Sequence, residues 1–175
     1  MTPSTPFKVL FLCTGNSARS ILAEFLLKRL GGDRFEVHSA GAAPKGEVHP
    51  IALRLLRERF RIPATDARSK PWEEFSDVRF DFVITLCDKA RESCPVLPYQ
   101  PVIAHWGSED PAAVEGSELE KEAAFLRVAM EISRRLELFL ALPIEKLDRL
   151  RLTALTRGIG EQEPASPLPF QESSR

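Results

Sequence analysis

The chain has 175 residues, 43% hydrophobic and 28% charged, and its 24 Lys and Arg against 25 Asp and Glu leave a net charge of −1. That composition is of one soluble globular domain; the balanced charge argues against a nucleic-acid or polybasic membrane binder, and no apolar run approaches the roughly 18 residues of a bilayer span. Three cysteines are too few for a disulfide scaffold and leave an odd thiol in any pairing, so a reducing, cytoplasmic setting is expected. Met1 to Pro6 lacks the basic and long apolar regions of a signal peptide.

Phe7 to Leu12 is a short apolar run that predicts a buried parallel strand. A polar loop follows, and Ser20 is the expected N-cap of a helix in which Ile21, Ala23, Leu26 and Leu27 repeat at helical spacing until Gly31-Gly32. Phe35 to His38 alternates as a second strand and ends in Ser39-Ala40-Gly41. Pro50 opens a second helix, with Leu53, Leu56 and Phe60 on one face, closed before Pro63. Phe80 to Cys87 predicts the third strand and Val102 to His105 a shorter fourth. Glu118 to Leu142 predicts a long amphipathic helix with Leu119, Ala123, Leu126 and Met130 facing inward. Ile144 to Leu155 continues as helix, and the Gly, Pro, Ser and Glu content from Gly158 onward predicts a flexible tail. The expected organisation is one catalytic domain over 1–157, with a core at 7–142 and an extra helical segment at 143–157, followed by a tail over 158–175. Alternating strands and helices imply an α/β fold, a four-stranded parallel sheet with helices on both faces. Ligands then sit beyond the carboxyl ends of the strands, where Cys13, Cys87 and the loop after His105 fall.

Cys13 and Arg19 stand at a Cys-x5-Arg spacing in a loop that leaves a strand and enters a helix. Successive backbone N–H groups in such a loop can point inward and form an anion-binding concavity, here made by Thr14, Gly15, Asn16, Ser17, Ala18, Arg19 and Ser20. Gly15 permits a positive φ, and Asn16 is the residue that next best tolerates one. Arg19 can close the ring with a planar fork matched to a tetrahedral oxyanion. The same N–H groups favour a thiolate at Cys13, and the Ser20 hydroxyl can donate to its sulfur. The plainer reading is a buried strand-end cysteine and a surface arginine. Asp110-Pro111 lies in the loop after the fourth strand, at the same end of the sheet. A carboxylic acid there can protonate the leaving oxygen of a bound oxyanion, although Asp-Pro also opens ordinary turns.

Cys87 ends the third strand and Cys94 follows seven positions later, with Asp88, Lys89, Arg91 and Glu92 between them. The charges predict an exposed, mobile segment. Were it helical, the two Cα atoms would stand about 10.5 Å apart along the axis. A disulfide spans roughly 4.4 to 6.8 Å, so pairing would require unwinding. Both could instead be structural thiols, cysteine being often buried. Three cysteines at one end of a sheet suggest redox chemistry, since a nucleophile, an attacker and a resolver make a relay. His38, His49 and His105 are scattered and read as structural or exposed. No Cys/His spacing resembles a zinc site, and no metal is expected.

In combination, Cys13 to Ser20, Ala23-Glu24, His38 to Gly41, Val83 to Cys87 with Cys94-Pro95, and His105-Trp106-Gly107 before Asp110-Pro111-Ala112 resemble the thioredoxin-coupled arsenate reductases. These share the low-molecular-weight protein tyrosine phosphatase fold, and the resemblance covers residues 7–142. It implies that Cys13 attacks arsenate cradled by the loop and Arg19, while Asp110 protonates the departing oxygen. Cys87 then attacks the Cys13 sulfur and releases arsenite. Cys94 resolves the bond and leaves a Cys87–Cys94 disulfide for thioredoxin, or for glutaredoxin with glutathione. No cofactor is implied, nor a nucleic-acid or membrane partner, and a monomer is expected. In some relatives a potassium ion near the anion loop is held by residues matching Asn16, Glu24 and Ser39 together with an acidic residue. This chain places Lys70 at that fourth position, so Glu24, Ser39 and Lys70 are the expected loop supports, with the ammonium group meeting the same oxygens. The runner-up is a phosphatase acting on phosphotyrosine or small phosphoesters through Cys13, Arg19 and Asp110. Ala112-Ala113-Val114 after the acid, where such enzymes carry aromatic residues, argues against it. A non-enzymatic oxyanion binder or redox sensor would need neither Asp110 nor a full relay.

Overall fold

The computed structural model describes residues 5–162. Four strands, β1 (Phe7–Cys13), β2 (Phe35–Gly41), β3 (Phe82–Thr85) and β4 (Val102–His105), form one parallel sheet in the order β2-β1-β3-β4. In β1, Val9 to Cys13 are all buried, as a central strand covered on both faces requires. Among the described residues, five α-helices accompany the sheet: α1 (Arg19–Gly31), α2 (Pro50–Glu58), α3 (Asp88–Ser93), α4 (Glu118–Leu140) and α5 (Arg149–Glu161). On one face of the sheet, the Phe11 ring meets Trp106, and Trp106 and Phe82 both meet Phe139 of α4 edge-on or tilted. Helix α1 packs against both the sheet, at β1 and β2, and α4, which is why every residue from Ser20 to Leu27 is buried. On the opposite face, Leu10, Leu12 and Val83 share an apolar cavity of about 240 Å³ with Trp72, Phe75, Val78 and Phe80, which come from a short turn, Trp72–Phe75, and the stretch after it.

Three expectations are revised and one open alternative is decided. The third strand is shorter than 80–87, because Phe80 leaves the ladder to pack on Phe75 and His38, and Cys87 already caps the next helix. The segment between Cys87 and Cys94 is helical over Asp88–Ser93 and exposed except at Ala90, the case in which pairing of the two thiols requires unwinding. In α4 the inward residues are Phe125, Val128, Ile132, Leu136 and Phe139, whereas Leu119, Ala123 and Met130 are exposed and Leu126 is half-buried. The helix carries two apolar stripes at valid spacing, and the larger aromatic one wins the core because it removes more area from water. Finally, the helix expected over 144–155 begins only at Arg149 behind an Asp148 N-cap, and it runs to Glu161, so Gly158 and Gly160 are helical and not tail. Residues 163–175 of the expected tail lie outside the described residues. Among the described residues, no helix is long and apolar enough to cross a membrane.

Candidate active site

The loop 13–19 joins the end of β1 to the start of α1. Its carbonyls are held from outside: Ala42, Ala43, Lys45 and His49 donate backbone N–H groups to the carbonyls of Cys13, Thr14, Gly15 and Ser17, at 3.2, 2.9, 3.0 and 2.9 Å. Each peptide plane directs its N–H away from its C=O, so engaging the carbonyls on the outer side turns the following N–H groups toward the inside of the loop. That outer cradle, residues 42–49, left no trace in the sequence reading. Asn16 takes the positive φ, at 43°, while Gly15 does not adopt one. Gly15 instead admits a close neighbour, since an added Cβ would stand 3.2 Å from the Lys45 side chain.

Ser20 is not the N-cap. Ala18 holds that position with no side-chain cap bond, and Ser20 sits in the first turn with its hydroxyl 2.9 Å from Cys13 Sγ. The first-turn N–H groups are thereby left uncapped by the chain itself, as an anion site at a helix start needs. Asn16 Nδ2 donates to Ser20 Oγ at 2.8 Å and to Ser39 Oγ at 3.0 Å, which leaves the Ser20 hydroxyl hydrogen for the sulfur. Behind this network sit Glu24 and Lys70, both almost fully buried. Ser39 donates to Glu24 in a short hydrogen bond. Lys70 Nζ lies 3.4 Å from Ser39 Oγ, 3.8 Å from Glu24 Oε2 and 3.1 Å from the Arg68 carbonyl. Asn16 Oδ1 is met by the Lys70 backbone N–H at 3.0 Å rather than by the ammonium group. Burial lowers the Lys70 pKa and the Glu24 carboxylate opposes that shift.

Arg19 spans the mouth of the loop, donating to the Ser108 carbonyl at 3.0 Å and standing 3.8 Å from Asp110 Oδ2. Asp110 accepts from the Ala112 N–H at 3.0 Å, so it opens a turn and faces Arg19 at once. Ser108 was missed in the sequence; its hydroxyl is buried without a hydrogen-bond partner among the described residues. Cys87 comes to the same mouth: its Sγ lies 3.2 Å from Thr14 Oγ1 and accepts from the Ala90 N–H at 3.4 Å, making the thiol the cap of α3. Cys94 ends α3, one helix length away, and burial raises its pKa. All three cysteines are free. A cleft of about 950 Å³ opens here, walled by Arg19, Cys87, Ser108, Val128, Met130 and Leu138 among others, with no aromatic ring among the described residues that line it.

The histidines have other duties. His38 packs on Phe75 at 4.9 Å, and His49 caps α2 by accepting from the Ile51 N–H. His105 joins Thr85 Oγ1 at 2.8 Å to Asp88 Oδ1 at 3.1 Å; burial and Arg91 lower its pKa while Asp88 opposes them.

The profile of the family "Low molecular weight phosphotyrosine protein phosphatase" matches residues 8–151. An arsenate reductase of Halalkalibacterium halodurans is 40% identical over 131 residues, 75% of this chain and 93% of that protein. Among solved structures, a thioredoxin-dependent arsenate reductase of Corynebacterium glutamicum superposes with a TM-score of 0.61 at 31% identity, over 78% of this chain and 61% of that longer one. An arsenate reductase in the phosphate binding state gives a TM-score of 0.62 at 32% identity, over 77% and 97% of the two chains. The chain therefore belongs to the low molecular weight phosphotyrosine protein phosphatase family, among its arsenate reductases.

Proposed function

We propose that the protein reduces arsenate to arsenite with a three-cysteine relay and that thioredoxin restores it. The observation that carries this reading is the second thiol at the anion loop: Cys87 Sγ touches Thr14, beside Cys13 and opposite Arg19. A phosphatase has no use for that thiol, and Ala112-Ala113-Val114 follow Asp110 where an aromatic ester would call for aromatic side chains.

The Cys13 thiolate, held by Ser20, attacks arsenic and a hydroxyl leaves as water with the proton of Asp110. The Cys87 thiolate next attacks the Cys13 sulfur; the S–As bond breaks and its electron pair stays on arsenic, so arsenite departs and a Cys13–Cys87 disulfide remains. The Cys94 thiolate then attacks Cys87, freeing Cys13 and leaving Cys87–Cys94. Two thiols give up two electrons and arsenic gains two. Because burial raises the Cys94 pKa, the resolver stays protonated and quiet until α3 opens. Thioredoxin acts on the final disulfide, with glutaredoxin and glutathione as the competing reductant, and the protein works as a cytoplasmic monomer. Arsenite production with thioredoxin and its reductase, against glutaredoxin with glutathione, tests the whole reading; no arsenite with either would refute it.

Asp110→Asn removes the proton donor and keeps the turn. Single-turnover arsenite release should slow by about 10²-fold or more, and an unchanged rate would return Asp110 to a turn residue.

Glu24, Ser39 and Lys70 support the loop from behind, the ammonium group serving as a fixed cation. Potassium and sodium at equal ionic strength should give the same activity and melting temperature. Lys70→Asp places two carboxylates together and creates a need for a dissolved cation. Its melting temperature should be about 3 °C higher in potassium than in sodium. A potassium gain in the unmodified protein would remove Lys70 from this role.

A further inference from the structure

The family profile stops at residue 151, so α5 lies almost wholly beyond it. This helix is not a loose appendage. As the edge strand, β4 pairs only with β3 and presents carbonyls on its other side. Residues of α5 and its first turn take them: Arg149 donates to the Pro101 carbonyl at 3.3 Å and Arg157 to the Ile103 carbonyl at 3.0 Å. The contacts then continue past the strand. Trp106, fully buried, donates its indole N–H to the Thr156 carbonyl at 3.0 Å. Gly160 lies flat against the next peptide: a Cβ there would collide with the His105 carbonyl and stand 2.7 Å from Trp106 Cδ1. Gly158, two residues earlier, has open space around it.

What α5 grips is the root of the loop that carries Ser108 and Asp110. That loop is held at three further points: Trp106 N–H to the Thr85 carbonyl at 2.8 Å, Arg135 to the Gly107 carbonyl at 2.9 Å, and Ser108 N–H to the Leu86 carbonyl at 3.0 Å. Beyond them, Arg19 reaches the Ser108 carbonyl and Asp110. Arg149, Thr156 and Arg157 of α5 thus hold residues 101–106 along the outer edge of the sheet, and the end of the helix also walls the cleft through Ile159 and Gln162.

We propose that α5 positions the acid-bearing loop, with Trp106 and Gly160 as positioning residues that hold 105–110 so that Ser108 and Asp110 meet Arg19 at the mouth of the anion loop. A general acid works only within hydrogen-bond reach of the oxygen it protonates, and a displacement of about 1 Å can cost about 10²-fold in rate. A glycine at 160 is thereby a catalytic requirement transmitted through packing, not a helix weakness. This inference rests on Asp110 acting as the acid.

The test uses the full chain, single-turnover arsenite release and a double-mutant cycle. Gly160→Val pushes α5 off the His105 carbonyl and should slow release by about tenfold to a hundredfold. Trp106→Phe, which keeps an aromatic ring in the core while removing the indole N–H together with part of the ring volume, should slow it in the same direction and serves if Gly160→Val does not fold. Gly158→Ala should leave the rate unchanged. In an Asp110→Asn background, Gly160→Val or Trp106→Phe should add little further loss, because the acid they position is already gone. Full additivity would mark a general structural defect and overturn the inference, as would wild-type rates in both positioning variants. A wild-type rate in Asp110→Asn alone would instead overturn the acid assignment, and the inference with it.

Discussion

Cys13→Ser should bring arsenite production to background with any reductant, and should remove any hydrolysis of activated phosphoesters as well. Both reactions begin with a bond from this sulfur to the central atom of an oxyanion, and serine at that place is a far weaker nucleophile at neutral pH. The surrounding loop should survive the change. Ser20 can hydrogen-bond an oxygen as readily as the sulfur 2.9 Å away, and the carbonyl contacts from residues 42–49 do not involve the Cys13 side chain. Phosphate binding to Cys13→Ser, followed by calorimetry, should therefore persist while turnover is lost. Residual arsenite release would mean that another thiol makes the first bond, and the candidate would be Cys87.

Cys94→Ser should separate the relay into its halves. Arsenite should appear once per chain, because Cys87 still attacks Cys13, and then stop with a Cys13–Cys87 disulfide. Multiple turnover with thioredoxin should fall by at least about a hundredfold. Cys87→Ser should stop earlier, at the thiol–arsenate adduct, releasing no arsenite. Neither change should affect phosphoester hydrolysis, which needs only Cys13, Arg19 and Asp110. In the unmodified protein, one equivalent of arsenate should leave Cys87 and Cys94 linked and Cys13 free. They cap opposite ends of α3, seven residues apart and about 10.5 Å along a helical axis. Their Cα atoms must close to within roughly 7 Å, so α3 has to unwind. Residues 88–98 should lose amide protection on oxidation. Identical exchange in both redox forms would mean that the helix is not the obstacle, and the order of the relay would need another gate.

Much of this site was legible because its chemistry is contiguous. An anion loop is made of consecutive N–H groups, so Cys13 to Ser20 announces itself in one stretch of chain, and a strand before it with a helix after it fixes its setting. Cys13 with Arg19, Cys87 and Asp110 stand at or after the ends of β1, β3 and β4, which alternation of strand and helix places at one end of the sheet, with Cys94 one short helix further on. Glu24, Ser39 and Lys70 all entered through family resemblance; Lys70 Nζ stands 3.8 Å from Glu24 and 3.4 Å from Ser39.

Other features were hidden for identifiable reasons. Helical periodicity finds apolar stripes but does not rank them: Leu119, Ala123, Leu126 and Met130 satisfy it as well as Phe125, Val128, Ile132, Leu136 and Phe139 do. Only the aromatic cluster of Phe11, Phe82 and Trp106 on the facing sheet decides which stripe is buried. Gly158 and Gly160 lower helix propensity and so suggested a tail, yet contact with β4 restores the helix and requires the second glycine. The cradle at 42–49 consists of backbone donors, which side-chain patterns do not encode. The sequence by itself determined the parallel α/β order and singled out Cys13, the loop from Thr14 to Ser20 and the three thiols as the proposed site, because these depend on local spacing and on residue chemistry. The buried face of α4, the docking of α5 and the meeting of Arg19 with Ser108 and Asp110 were decided by tertiary structure, because each is a contact between segments far apart in the chain, chosen by the area and hydrogen bonds that only the assembled sheet offers.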